Sequence, residues 1–252
     1  MKLSVVIITK NEAHIIGKTL GALSGLTDDI IVVDSGSTDN TINICRSAGA
    51  KLIQTTWEGY GFNKNKGNDA ARYDWVLSLD ADEVVDEELK KSIAALPEPE
   101  ANTVYTIAYK NYFCNKRIRY GVWRKDRHTR LFNRNYVSWN TTEVHEKLIL
   151  PQQVKVLPLA GYVQHYTVDS IPDYMHKTML YAKAGAKQKY FKKKKASFIK
   201  LYVGPTFSFI HAYFIRFGFL DGWEGFLICK TYAWYSFIKY VFLRELYKQD
   251  KQ

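Results

Sequence analysis

The chain has 252 residues, 46% hydrophobic and 24% charged, with 15 Gly and 6 Pro. That composition excludes a disordered, collagen-like or coiled-coil chain, and the length suffices to bury a full core. Three Cys (Cys45, Cys114, Cys229), far apart and without a CxxC pair, argue against a disulfide scaffold and a Cys-based zinc site, and the net charge of +11 is unevenly placed. Residues 1–169 hold 21 Lys+Arg against 20 Asp+Glu, whereas residues 170–252 hold 15 against 5. Of the 37 aromatic residues, 17 fall between Phe198 and Tyr247. The chain reads as a near-neutral body followed by a basic, aromatic region.

Met1-Lys2-Leu3 enters directly into a strand-like run, with no basic segment before a small-residue cleavage site, which disfavours secretion by a signal peptide. Leu3 to Ile8 is a continuous Val/Ile-rich run, the pattern of a strand buried on both faces. Thr9-Lys10-Asn11-Glu12 ends it, and a helical pattern follows at Ile15, Ile16, Leu20 and Leu23. A second buried run, Ile30 to Val33, stops at Asp34, and the loop Ser35 to Asp39 leads into a helix over Thr41 to Ala48. Lys51 to Gln54 reads as a third strand, Asn65 to Arg72 as a helix, and Trp75 to Leu79 as a fourth strand ending in Asp80-Ala81-Asp82-Glu83. Strands separated by helices predict right-handed βαβ units in a doubly wound sheet.

From about Ala101 the pattern changes. Thr103 to Tyr109 alternates strictly, Ile118 to Asn133 is dense in Arg, and Val154 to Tyr166 again reads as extended, which predicts a mainly antiparallel second portion. Ser170-Ile171-Pro172-Asp173 is a helix start with a capping box, and the helix should run into the Lys-rich stretch 187–200. Two apolar-aromatic segments between Phe198 and Leu246 are separated by Gly218 to Gly225.

In open α/β sheets, ligands bind beyond the carboxyl ends of the strands. Three such ends are polar here (Thr9 to Glu12, Asp34 to Asp39, Asp80 to Glu83), and all three should converge on one crevice. In an extended segment Asp80 and Asp82 would project to the same side, where their repulsion is relieved by a hard divalent cation that can bridge them to a diphosphate. Asp82-Glu83 can also be read as the acidic start of a following helix. Neither a P-loop nor a GxGxxG occurs, so phosphates would need a metal and basic side chains.

The runs Val-Val-Ile-Ile-Thr-Lys-Asn-Glu (5–12), Val-Val-Asp-Ser-Gly-Ser-Thr-Asp (32–39), Lys-Asn-Lys-Gly (64–67) and Trp-Val-Leu-Ser-Leu-Asp-Ala-Asp-Glu (75–83) together resemble the family 2 glycosyltransferases. The resemblance is closer to the bacterial lipopolysaccharide-core β-glucosyltransferase branch. Arg-Leu-Phe (130–132), Val-His-Glu (144–146) and Gly-Phe-Leu-Asp-Gly-Trp-x-Gly (218–225) also look like that branch. The resemblance implies a GT-A fold: an α/β, Rossmann-like, mostly parallel sheet with helices on both faces, here followed by a C-terminal helical, basic-aromatic region. It divides the chain into a nucleotide-sugar-binding half (1–100), an acceptor-binding half (101–169) and the helical region (170–252).

It further implies a nucleotide-sugar donor, most often a UDP-sugar, with Mg²⁺ or Mn²⁺ as cofactor. Thr9, Asn11 and Glu12 match the first nucleotide-contacting strand end, and Asp34 matches a residue facing base and ribose. Ser35 stands where many relatives carry a second Asp. Lys64 matches a basic residue near the donor, and Asp80 and Asp82 match the metal and diphosphate (DXD) motif. His165, ending an extended segment, matches a late His that reaches the metal in some GT-A enzymes, though a lone His is often structural. Metal-assisted glycosyl transfer also needs a base for the acceptor hydroxyl. For a single, inverting displacement that base lies across the sugar from the diphosphate, and Glu146 is the candidate, with Glu143 in reserve. Arg124, Lys125, Arg127 and Arg130 either hold phosphates or an anionic acceptor, or form a solvated strand face.

In the C-terminal region, Lys187, Lys189, Lys192 to Lys195 and Lys200 precede Leu201 to Leu220 and Phe226 to Leu243, two segments interrupted by Arg216, Lys230 and Lys239. Aromatic helices beside lysines suit an anionic membrane surface, and packing on the catalytic domain or a homodimer contact is the alternative. These features lead to an expected hexosyltransferase, cytoplasmic and peripheral on the inner face of the cytoplasmic membrane. Its acceptor would be a cell-envelope glycan or glycolipid such as lipopolysaccharide core. A sugar-phosphate nucleotidyltransferase would show a Gly-rich loop near residues 8–12, which is missing. A nucleic-acid partner is not expected, because the basic residues sit in one aromatic region without a recognisable DNA-binding pattern.

Overall fold

The computed structural model of the protein describes residues 1–141 and 147–250. The Val/Ile run forms β1 (Leu3–Thr9), buried at every position because it has a parallel neighbour on each edge and a helix layer on each face. After α1 (Ile16–Ala22) come β2 (Ile30–Asp34), α2 (Thr41–Ser47), β3 (Lys51–Gln54), α3 (Tyr60–Asp69) and β4 (Trp75–Asp80). β4, β1, β2 and β3 are parallel neighbours in that order. The chain then adds β5 (Glu83–Val85), α4 (Glu87–Ala94), β6 (Thr103–Phe113), β7 (Lys116–Arg117), β8 (Arg127–Asn133), β9 (Ser138–Trp139), β10 (Leu148–Ile149) and β11 (Lys155–Val168). The sheet order is β3-β2-β1-β4-β8-β6-β11-β5, a mixed, Rossmann-like α/β sheet. β8 is antiparallel to both β4 and β6, and β5 is antiparallel to β11.

The two sheet faces follow the period-2 alternation of the strands. Val5, Ile7, Leu77 and Leu79 pack with Ile16 and Leu20 of α1 and Leu89 and Ile93 of α4. Val6, Ile8, Ile31 and Val33 face the other way, in a core with Phe132 and Trp139. Tertiary contacts divide the chain into two units, one of Met1–Lys110 with Asp126–His165 and one of Asn111–Lys125 with Tyr166–Gln252.

Within the first unit, one glycine sets how closely β11 approaches the start of α4. Gly161 of β11 has φ +87°, and a Cβ there would lie 2.2 Å from the Leu89 amide nitrogen. The close approach lets Asp86 serve two elements: its Oδ1 accepts from Leu89 N at 2.9 Å, capping α4, and from Tyr162 N at 3.0 Å. Gly161→Ala is expected to cost about 2–4 kcal/mol, the sum of left-handed strain and overpacking. Urea titration would register this as a lower midpoint with unchanged slope. A shift corresponding to less than 1 kcal/mol would mean that β11 can move away from α4 at little cost.

The second unit is mainly helical. α5 (Ile171–Phe191) begins as the sequence predicts: Ser170 Oγ accepts from Asp173 N at 3.2 Å, and Pro172 sits in the first turn. A shorter helix, α6 (Gly204–Ile210), is flanked by π-helical stretches at Ile199–Val203 and His211–Ile215, and α7 (Gly222–Gln249) closes the chain. The Gly218–Gly225 segment is a packing device. A Cβ on Gly225 would lie 2.1 Å from Gly218 O. The buried Asp221 carboxylate accepts from Arg119 N and Tyr120 N at 3.0 and 2.8 Å, and Lys116 Nζ donates to Asp221 O and Glu224 Oε2. Among the described residues, no helix is long and apolar enough to cross a membrane.

Candidate active site

The polar ends of β1 and β2 are tied directly to each other. Asn11 adopts φ 56°, which turns the chain back so that its Oδ1 accepts from Thr38 N at 2.7 Å while its own N donates to Ser37 Oγ at 2.8 Å. Asp34 is fully buried, and its carboxylate accepts from Gly36 N, Ser37 N and the Ser37 hydroxyl. Asp34 therefore shapes the loop over which any ligand would lie. Glu12 N donates to Thr41 Oγ1 at 2.9 Å, which links the β1 end to the start of α2.

α3 carries the connection onward. Asn63 Nδ2 donates to Ser35 Oγ at 2.9 Å, and Ser35 N donates to Thr9 O at 3.0 Å. Two buried oxygens in this layer, Thr9 Oγ1 and Asn63 Oδ1, have no hydrogen-bond partner among the described residues. Buried polar atoms are nearly always satisfied, so an unpaired pair at a strand end fits a place where a ligand supplies the partner. The next residue, Lys64, is completely buried. Its Nζ lies 3.1 Å from Asp80 Oδ1 and 4.6 Å from the centre of the Trp139 ring.

Asp80 ends β4 and is held from a second side by Arg130, whose Nη2 lies 3.2 Å from Oδ2. The same guanidinium donates to Glu83 Oε1, and its Nε donates to Tyr109 Oη at 2.7 Å. Glu83 Oε2 accepts from Asp80 N at 3.0 Å. Burial works against the ionised form of Asp80, but Lys64 and Arg130 outweigh it and hold the carboxyl below its usual range. Burial dominates at Glu83 and raises its pKa despite Arg130. The sequence suggested Glu83 as part of a helix start. Instead Glu83 lies in β5, opposite His165 of β11, and the next helix is capped by Asp86.

That pairing places His165 against Asp82, with Nε2 3.4 Å from Oδ2. Burial opposes a charge on the imidazole, but the Asp82, Glu83 and Asp80 carboxylates prevail and push its pKa up to about 9. The cluster thus sets three acidic side chains (Asp80, Asp82, Glu83) against three basic ones (Lys64, Arg130, His165). Ala81 between the two aspartates turns into the core, and its carbonyl accepts from Thr19 Oγ1 at 2.6 Å.

The donor set can be tested for a divalent metal. No group of three or more His, Cys, Asp or Glu poised to hold a metal ion occurs among the described residues. Asp80 is engaged by two cations. Asp82 and His165, with side chains 20% and 24% exposed, bring a carboxylate and an imidazole together as an ion pair. Such a pair fits Mg²⁺ or Mn²⁺ when a diphosphate and water complete the shell, and ligation requires His165 to give up its proton.

The structure thus brings together Thr9, Asn11, Asp34, Ser35, Lys64, Asp80, Asp82 and His165, with the Glu12 backbone at the rim. Of the Arg-rich run, Arg130 joins the cluster, and Arg127 donates to Thr106 O at 3.0 Å at the exposed end of β8. Arg124 and Lys125 belong to the second unit. Glu143, His145 and Glu146 lie outside the described residues. Asn63, Tyr109 and Trp139 were not singled out from sequence, and Glu83 was read only as part of a strand end or helix start. The only cue was adjacency, Asn63 beside Lys64 and Glu83 beside Asp82.

The Glycosyl transferase family 2 profile matches residues 4–150. A glycosyltransferase of Rickettsia prowazekii (strain Madrid E), described as uncharacterized, is 32% identical over 97% of this chain and 87% of its own. The lipopolysaccharide core biosynthesis glycosyltransferase LpsC of Rhizobium meliloti (strain 1021) is 27% identical over 94% of this chain and 90% of its own. Among solved structures, glucosyl-3-phosphoglycerate synthase from Mycobacterium tuberculosis, in complex with Mn²⁺ and UDP, is 25% identical over 44% of each chain, with a TM-score of 0.36. The family profile covers more than half of the chain and includes every strand end described above, so this protein belongs to glycosyl transferase family 2.

Proposed function

We propose that this glycosyltransferase moves a hexose from a nucleotide-diphosphate sugar, UDP-glucose or a close relative, to a cell-envelope glycan or glycolipid acceptor of the lipopolysaccharide-core kind. The transfer is a single displacement with inversion, and it takes place on the cytoplasmic side of the inner membrane. Residues 1–100 bind the donor and residues 101–169 contribute the acceptor side. The observation that carries the reading is the Asp82–His165 pair standing beside a charge-paired Asp80 at the end of β4. The similarity to LpsC, a lipopolysaccharide core biosynthesis glycosyltransferase, supports the acceptor class.

In this reading the β1 and β2 ends receive the nucleoside, with Thr9 Oγ1 and Asn63 Oδ1 as free partners for its polar groups. Lys64 and Arg130 keep Asp80 ionised and fixed, so that Asp80 orients the donor rather than collapsing onto a neighbouring carboxylate. Asp82 and the deprotonated His165 would hold a divalent cation, which would supply positive charge for the departing diphosphate. A divalent cation and a doubly charged diphosphate cancel each other's charge, and the cluster carries one positive charge fewer once His165 has released its proton. Glu146 takes the proton from the acceptor hydroxyl as the new bond forms.

The test is a panel of nucleotide sugars titrated by calorimetry with Mn²⁺ and with EDTA. A metal-dependent affinity for one UDP-sugar is the expected result. Folded protein that binds no donor under either condition would overturn the donor assignment. Glu146→Gln is expected to bind that donor normally and to lose transfer by a factor on the order of 10²–10⁴, the usual worth of a general base. Normal turnover in that variant would move the base to Glu143 or elsewhere.

A further inference from the structure

We infer that the outward face of residues 191–223 is a docking surface for an anionic lipid bilayer, on which the protein lies without crossing it. Thirteen large apolar side chains between Phe191 and Trp223 are exposed, far more than a solvated surface of this length carries. Ile199, Val203, Phe207, Ile210 and Phe214 recur at steps of four, four, three and four, which is one face of a helix. They are 44–67% exposed, while Leu201 and Ala212 turn inward and are at most 4% exposed. The helix is therefore apolar on both sides, and its inner side alone is covered within its own unit. Residues 201–215 contain no Lys, Arg, Asp or Glu.

The charge beside this face selects the occupant. Lys192 to Lys195 form the exposed loop that leads into the apolar stripe, and Lys200 is exposed within it. Aromatic and aliphatic side chains next to a lysine cluster match the two layers of a bilayer surface, acyl chains beneath and anionic headgroups above. A second copy matches less well, because a two-fold pairing of this face would bring two sets of these lysines to one interface. The inference does not depend on the donor, the acceptor or the transfer chemistry.

Flotation of the full chain with phosphatidylcholine vesicles, with and without phosphatidylglycerol, tests it. The protein is expected to float with the phosphatidylglycerol vesicles, less strongly at high salt, and weakly with phosphatidylcholine alone. Two variants, K192Q/K193Q/K194Q/K195Q and F207S/F214S, should each weaken that binding by a factor on the order of ten or more. Both alter exposed side chains, and unchanged circular dichroism and melting would show that each is folded. No flotation of the parent, or equal flotation of parent and variants, overturns the inference. So does a dimer in sedimentation equilibrium that F207S/F214S dissociates while vesicles bind neither protein, which would assign the face to a second copy.

Discussion

Asp82→Asn is expected to abolish the metal-dependent part of donor binding while the protein stays folded. Asp82 has side-chain contact with His165 and is partly exposed, so its amide substitute keeps the shape and loses the charge. A carboxylate that binds a divalent cation contributes several kcal/mol, so transfer should fall by a factor on the order of 10³. Calorimetry of the UDP-sugar with Mn²⁺ and with EDTA separates the two roles. The parent should bind more tightly with Mn²⁺, and the variant should bind equally under both conditions. A variant that retains the parent's Mn²⁺ enhancement would remove Asp82 from the metal site.

Arg130→Met should produce the largest loss of stability of any single change in the cluster. Arg130 is 7% exposed and neutralises two carboxylates while bonding to the Tyr109 hydroxyl. Met replaces the aliphatic stem but leaves Glu83, 1% exposed, without its cation. Breaking a buried pair from one side costs about 3–5 kcal/mol because an uncompensated charge remains. Asp80 keeps Lys64, so the main penalty falls on Glu83. Glu83→Gln in the Arg130→Met background should therefore recover part of the loss, and a double-mutant cycle on urea midpoints measures that coupling. If Arg130→Met costs less than 1 kcal/mol, or Glu83→Gln restores nothing, the buried network is not what holds the β4 end in place.

The strands that one local pattern defines were legible in the residues themselves. β3 has the predicted ends, and β1, β2 and β4 each extend one polar residue beyond their Val/Ile/Leu runs, to Thr9, Asp34 and Asp80. Those added residues are the ones that enter the site. α3 was less legible: the expected span, Asn65 to Arg72, begins five residues late. Its start at Tyr60 follows Gly59 at φ 115° with no side-chain cap, so the usual start signal is missing. The strand β5 could not be read at all. Three residues carry no periodicity, and they become a strand only because β11, about 80 residues later in the chain, supplies their hydrogen bonds.

The sequence alone determined the α/β class, the family, the three polar strand ends and the separation of a basic, aromatic region from a near-neutral body. Each rests on signals carried by neighbouring residues: hydrophobic period, caps, turns and charge. Only the tertiary structure decided which charges meet. It assigned Lys64 and Arg130 to Asp80, and His165 to Asp82, through contacts spanning 16 to 83 positions. It also left the lysine loop and the apolar side chains between residues 191 and 223 exposed. Such pairings come from strand register and helix packing, where a partner is chosen by where the backbone passes in space, and no local pattern encodes that choice.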